Sequence, residues 1–418
     1  MFHFVLNIFT KTVIYGFFNS LSTLIPFLLL PILTTYLSSE DYAIITVINI
    51  IILFLGAIFR LEIQAALKRE YIENRNNFAE YVSSALTIPI FIFVMLLIIF
   101  ILFYPFLPEL WGVSHLWILV CFIIALGAAF STYLSALYQI MDKALFTGLW
   151  EILISAPVFI GTFILVVFFD FNWQGRVWPM LATSIVIQIP LSLYLIYRIV
   201  PYRFIFDLNK LKELLKFSLP LIPMTIAIYI LQVADRIFIT KMIDLETAGL
   251  YAVSGQLAAV MSLAYNSFMP TWEAFVLGKL KEKESKKYKE IGLVFIFFVF
   301  AMVIASIFVI SIFPHIMPYI LGKAFLGSKE YLAWLVVGVS MRGIFHALLP
   351  FIYHLRKTKV IMYLNFFLVI LYLLLNYILI LFNGAVGAAQ ANLIIHVIGF
   401  CILFLYLFSK YRKSYNRT

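Results

Sequence analysis

The sequence predicts an all-α polytopic membrane protein of about 12 transmembrane helices, arranged as two six-helix lobes. Three observations predict it. Hydrophobic residues make up 64% of the 418 residues and charged residues only 12%, against roughly 45–50% and about 25% in an ordinary soluble domain. Uncharged runs such as 88–103, IPIFIFVMLLIIFILF, recur along the whole length, and a spanning helix needs about 20 mostly apolar residues. Basic residues fall in alternate connections between these runs. No water-soluble fold hides that much apolar surface, so lipid is the solvent for most of the chain.

The expected spans are 12–37, 41–66, 82–104, 116–139, 145–169, 177–199, 217–242, 248–276, 290–314, 331–354, 359–382 and 387–409. Pro26 and Pro31 predict a bend in the first, since neighbouring helices can satisfy the carbonyls that proline frees. The first residues lack a basic leader, so no cleaved signal is expected. Cys121 and Cys401 sit in apolar runs and read as small hydrophobes, without metal or disulfide spacing. Residues 201–216 carry Phe204, Leu208, Leu211 and Leu215 at helical spacing with lysines between them. They predict an amphipathic linker on the cytoplasmic interface. The lobes are then 1–200 and 217–418, the second ending in a short basic tail.

The formal charge of +10 would suggest nucleic acid in a soluble protein. Here the distribution explains it: 23 Lys and Arg fall on one side, 4 on the other and 3 inside spans. The positive-inside rule then places both termini in the cytoplasm, with membrane lipids as partners and no nucleic acid.

The halves look related. Shifted by 206 residues, ITKMIDLETAGLYAV (239–253) lies over LTTYLSSEDYAIITV (33–47), with Thr34, Glu40 and Val47 matched by Thr240, Glu246 and Val253. Any two membrane helix-turn-helix segments share some pattern, but equal span numbers favour parallel repeats, a transporter plan with its substrate site between halves.

The candidate functional residues are the charges inside spans. Arg342 falls about eleven residues from either end of its span, where a charge costs at least about 2.5–3.5 kcal/mol. His346 follows at i+4 on the same face, and Gly338, Ser340 and Gly343 leave room around them. Arg342 reads either as a cavity cation or as a structural partner of one acid. Arg60 lies toward the cytoplasmic end of the second span and reads as cavity-lining or snorkelling. In a continuous helix Glu62 points about 200° away from it. Asp235 and Arg236 lie toward the far end of the seventh span, with Gln232 one turn before Arg236. Each of the pair is expected to find a partner on another helix. Lys11 and Glu273 sit near cytoplasmic ends, and His396 reads as a satisfied buried histidine. Asn19, Asn266 and Gln188 are polar groups that suit either packing or a cavity. The three arginines fall at three depths and suggest a ladder of cations for an anion, because a guanidinium holds phosphate oxygens bidentately and keeps its proton.

Two stretches then carry a family resemblance. FRLEIQAALKREY (59–71) is similar to the RLE/RFE segment after the second span of polysaccharide-export membrane proteins. The stretch 218–275, with "LPLIP", "DR" and "GxYxV" elements in order, resembles their seventh and eighth spans. The chain thus resembles Wzx-type flippases of lipid-linked oligosaccharide units, in the MATE-like MOP superfamily that also holds the lipid II flippase. The resemblance implies two lobes around a central cationic cavity and alternating access. It implies an undecaprenyl-diphosphate-linked glycan such as an O-antigen unit of lipopolysaccharide as substrate, and other polysaccharide-assembly membrane proteins as partners. Arg60 and Asp235–Arg236 fall on family motif positions, whereas Arg342 is read from depth. Ala43 departs from the motif, where a glycine is usual; Gly249 keeps it.

No Walker motif is present, so no cofactor is expected. The expected drive is an H+ or Na+ gradient or the membrane potential, with Asp235 and Glu273 as coupling candidates. A MATE-like exporter of drugs or organic cations is the main alternative, and it would favour intramembrane acids. A polysaccharide polymerase or ligase would need a long outward catalytic loop; the longest here, 314–331, is short.

Overall fold

The computed structural model describes residues 25, 27–106, 113–200, 207–282 and 287–415. Lys11, Asn19, Pro26 and Phe204, and with them most of the first expected span, lie outside the described residues. Among the described residues, ten helices are long and apolar enough to cross a membrane. A shorter apolar helix, α1 (Phe27–Tyr36), stands where the first span was expected. The protein is a multi-pass, all-α membrane protein.

The next helices follow the expected order: α2 (Ser39–Arg60), α3 (Ile63–Glu73), α4 (Phe78–Phe103), α5 (His115–Ile140) and α6 (Ala144–Val167). On α4, Phe91, Ile98, Ile101 and Leu102 are exposed; in water such a face would aggregate, and in a bilayer it meets acyl chains. The sixth expected span is α7 (Gln174–Thr183), one π-helical turn over Ser184–Gln188, and α8 (Ile189–Ile199).

The second expected span is not one helix. Leu61 and Glu62 both adopt positive φ, 45° and 56°, and separate α2 from α3. Glu62 is therefore not 200° from Arg60 on a continuous helix; the break removes that geometry. Beyond it, α3 buries Ile63, Ala66, Leu67 and Glu70, the i, i+3, i+4, i+7 stripe of a helix lying on a core.

The expected linker, 201–216, is described from Asp207 onward. Helix α9 (Leu208–Ser218) starts where the Asp207 side chain accepts from the backbone N–H groups of Asn209 and Lys210, at 2.8 and 3.3 Å. A short 3-10 turn, Leu219–Leu221, joins it to α10 (Ile222–Met242). Leu214 and Ser218 are its fully buried residues, whereas Leu208 is exposed. Lys210 Nζ lies 3.8 Å from Glu80 and 4.5 Å from the centre of the Tyr81 ring. The helix thus packs on α3 and α4.

The remaining helices are α11 (Leu245–Ala258), α12 (Val260–Lys281), α13 (Lys287–Ile320), α14 (Lys329–His346), α15 (Leu349–His354) and α16 (Thr358–Tyr415). The tenth expected span breaks between α14 and α15. The indole N–H of buried Trp272 donates 2.8 Å to the carbonyl of Ala347 there, which satisfies an acceptor the broken helix leaves free. The 58 residues of α16 would reach about 87 Å as one rod, far beyond a bilayer core of about 30 Å. Gly384, at φ 56° and ψ −146°, divides it into the two expected spans. A Cβ on Gly387 would stand 2.0 Å from the carbonyl oxygen of Leu379, so the chain doubles back tightly after the break. Only glycine adopts the Gly384 conformation without strain, so Gly384→Ala is expected to cost about 1–3 kcal/mol. A lowered thermal midpoint in detergent checks this.

Two compact units result: 1–37 with 44–229, and 38–43 with 230–418. The division falls at Tyr229 and Ile230, later than the 201–216 linker. The first unit's core gathers Phe59, Ile63, Leu67, Phe122, Phe130, Tyr133 and Leu137. In the second, Trp272, Tyr251, Phe325 and Tyr372 are its largest fully buried side chains.

Candidate functional site

The second unit places two of the three arginines along one helix face. Helices α11 and α12 run on almost without interruption through Ala259, whose φ and ψ are −62° and −15°. Gly255 and Ser262 are seven residues apart on this stretch, so they share a face about 10 Å apart along the axis. The Arg236 guanidinium lies beside Gly255, where an added Cβ would sit 3.2 Å from one of its nitrogens. An Arg342 guanidinium N–H donates to the Ser262 hydroxyl at 3.0 Å. One turn on, the Tyr265 ring meets the His346 ring edge-on at 5.8 Å. Tyr265 also fills the notch at Gly343, where a Cβ would come within 2.7 Å of it. Small residues on α11, α12 and α14 thus let long cationic and aromatic side chains lie between helices.

Asp235 sits apart from this row. It is 3% exposed and accepts 2.8 Å from the hydroxyl of fully buried Tyr251. It also accepts from the backbone N–H of Arg236. Gln232 and Glu273 are exposed. The buried His396 ring bonds the backbone carbonyl of Asn392 at 2.7 Å.

In the first unit, the Arg60 guanidinium donates to the Tyr229 hydroxyl at 3.1 Å, and Tyr229 packs edge-on against Phe54. Glu62 accepts from the Gln64 side chain at 2.9 Å. Gln188 stands at the π-helical turn, where its side-chain oxygen lies 3.3 Å from the Ser184 hydroxyl.

The three arginines share one property. Each has a buried Nε without a hydrogen-bond partner, and none pairs with a carboxylate among the described residues. Arg60 and Arg342 are held by neutral hydroxyls, and Arg236 lies beside Gly255, so all three keep their charge available. An acceptor-rich anion is the chemical complement of such groups.

Tyr133, Tyr229, Tyr251, Ser262 and Tyr265 escape the sequence reading. A tyrosine or serine in an apolar run does not announce that its oxygen holds a cation or caps a carbonyl. The seven-residue spacing of Gly255 and Ser262 was the one available signal.

The fold is similar to that of solved membrane transporters. The chain is similar to a lipid II flippase, MurJ, in an inward closed conformation, at a TM-score of 0.73 and 17% identity, covering 97% of this chain and 87% of that one. It is also similar to an inward-facing multidrug resistance MATE family transporter of the MOP superfamily, at 0.66 and 14%, covering 96% of each. A family model described as polysaccharide biosynthesis protein matches residues 8–272, and the chain belongs to that family. Lsg locus putative protein 1 of Haemophilus influenzae is 23% identical over 374 residues, 85% of this chain and 87% of that protein. The resemblance read from the sequence is borne out.

Proposed function

We propose that this protein flips a lipid-diphosphate-linked oligosaccharide, of the undecaprenyl-diphosphate O-unit type, from the cytoplasmic to the periplasmic leaflet by alternating access. The observation that carries the reading is the set of three span arginines, none paired with a carboxylate among the described residues and each with a buried Nε to spare, in a member of a polysaccharide biosynthesis family. A diphosphate brings about two charges, and each guanidinium offers it a fork of donors. Arg236 and Arg342 on one face of α11–α12, and Arg60 beside the α2–α3 break, are the groups assigned to it. Gln232, His346 and Glu62 are its proposed polar neighbours. Asp235, buried in the second unit, is the carboxylate assigned to coupling with an H+ or Na+ gradient; Glu273 is the alternative. An exporter of organic cations fits less well, because the buried acid is already engaged by Tyr251 while the arginines have donors to spare.

Complementation tests the reading. Expression in strains that lack their O-unit flippase is expected to return surface polysaccharide in at least one matched glycan background. No rescue across several backgrounds, with the protein present in the membrane, would count against it.

A further inference from the structure

The α2–α3 break has no glycine or proline to explain it. Two consecutive L-residues, Leu61 and Glu62, stand at φ 45° and 56°, a conformation that such residues hold only when their surroundings impose it. Helix α2 still bonds normally up to this point, with the Leu61 N–H on the Ala57 carbonyl at 3.0 Å. In a continuous helix the Arg60 carbonyl would take the N–H of Gln64. Here that carbonyl accepts instead from the Tyr133 hydroxyl, at 3.0 Å. Tyr133 projects from α5 and is 0% exposed, so its hydroxyl has no solvent to turn to.

We propose that Tyr133 is a positioning residue: its hydroxyl occupies the Arg60 carbonyl that would otherwise close the helix, and so fixes the break that presents Arg60. The Arg60 guanidinium, one residue before the break, donates to Tyr229. Gly56, one turn earlier, leaves it room, since a Cβ there would lie 3.0 Å from a guanidinium nitrogen. Two side chains from different helices, Tyr133 and Tyr229, and the space left at Gly56 therefore set one cation. Without the Tyr133 hydroxyl, the buried carbonyl is left unpaired, and closing the helix both satisfies it and relieves the two left-handed residues. Downstream, α3 would then swing about the former break. The transport part of this inference rests on the proposed function; the backbone part does not.

The experiment compares Tyr133→Phe, Leu61→Gly and the double variant in the full-length protein. Two readouts are used: hydrogen exchange of the peptide covering 61–65 in detergent, and complementation of flipping at matched expression. Tyr133→Phe is expected to slow exchange at Glu62, Ile63 and Gln64 and to lower transport by about tenfold, the scale of one buried hydrogen bond. Glycine at 61 adopts positive φ without steric cost, so the double variant is expected to regain the fast exchange and most of the transport. Rescue of a tyrosine variant by a backbone-loosening glycine is not expected from a merely structural role. Unchanged exchange in Tyr133→Phe, or a double variant no better than the single one, would overturn the proposal. If the wild-type chain supports no flipping while the exchange pattern follows expectation, the proposed function fails and the positioning role of Tyr133 at the break stands.

Discussion

Arg342→Ala is expected to lower transport at least about 100-fold while leaving the protein folded and in the membrane. Arg342 donates to Ser262, and its buried Nε has no partner. Its alanine variant therefore breaks no ion pair among the described residues and strands no buried carboxylate. That separates it from the usual buried-charge deletion, which costs stability because the partner is left behind. On the proposed function, what it removes are charge-assisted hydrogen bonds to an anion, worth about 1.5–3 kcal/mol each; two of them amount to about 100-fold or more. Arg342→Lys is expected to fall between, near tenfold, because an ammonium keeps the charge and loses the planar fork. The measurement is flipping per unit of folded protein, with folding read from size-exclusion profiles. Wild-type rates for both variants would remove Arg342 from the substrate path.

Gly249→Ala is expected to damage the fold itself. A Cβ at Gly249 would stand 1.9 Å from the carbonyl oxygen of Ser39 and 2.7 Å from its carbonyl carbon. Both are backbone atoms of a segment that belongs to the second unit, so no rotamer change relieves the contact. Overpacking typically costs about 1–3 kcal/mol, and a rigid contact this short places Gly249→Ala at or above the upper end. The expected outcome is a strongly lowered thermal midpoint, or little folded protein, compared with an alanine at Gly278, where a Cβ meets nothing within 4 Å. Equal midpoints would show that α11 can shift away from Ser39 without loss.

Much of the fold was legible because the bilayer imposes long apolar runs and sorts basic residues between them. The last two spans were placed at 359–382 and 387–409, and the break falls between them at Gly384. The glycine is a visible sign there. The Leu61–Glu62 break was not legible, since neither residue favours left-handed backbone and its cause is a tyrosine 72 residues further on. The α14–α15 break was missed for the same reason: the group that satisfies Ala347, Trp272, lies on another helix. The linker was read as an amphipathic helix on the cytoplasmic interface; that its Leu214 packs into the first unit was not legible, because periodicity shows a face and not what covers it. Of the candidate site, the three arginines stood out by their cost in lipid. Tyr229 and Ser262, the hydroxyl partners of Arg60 and Arg342, did not, because hydrogen bonds between helices leave no local sequence pattern.

Reconstituted flipping measures the cationic path most directly. Liposomes containing the protein are loaded with a fluorescent polyprenyl-diphosphate glycan or with the same glycan on an uncharged polyprenyl ether, and leaflet exchange is followed by quenching from outside. The diphosphate lipid is expected to cross at least about tenfold faster than the uncharged one, one charge-assisted contact being enough for that ratio. The advantage is expected to vanish in Arg342→Ala. Equal rates for the two lipids in the wild-type protein would contradict the assignment of the span arginines to an anionic substrate.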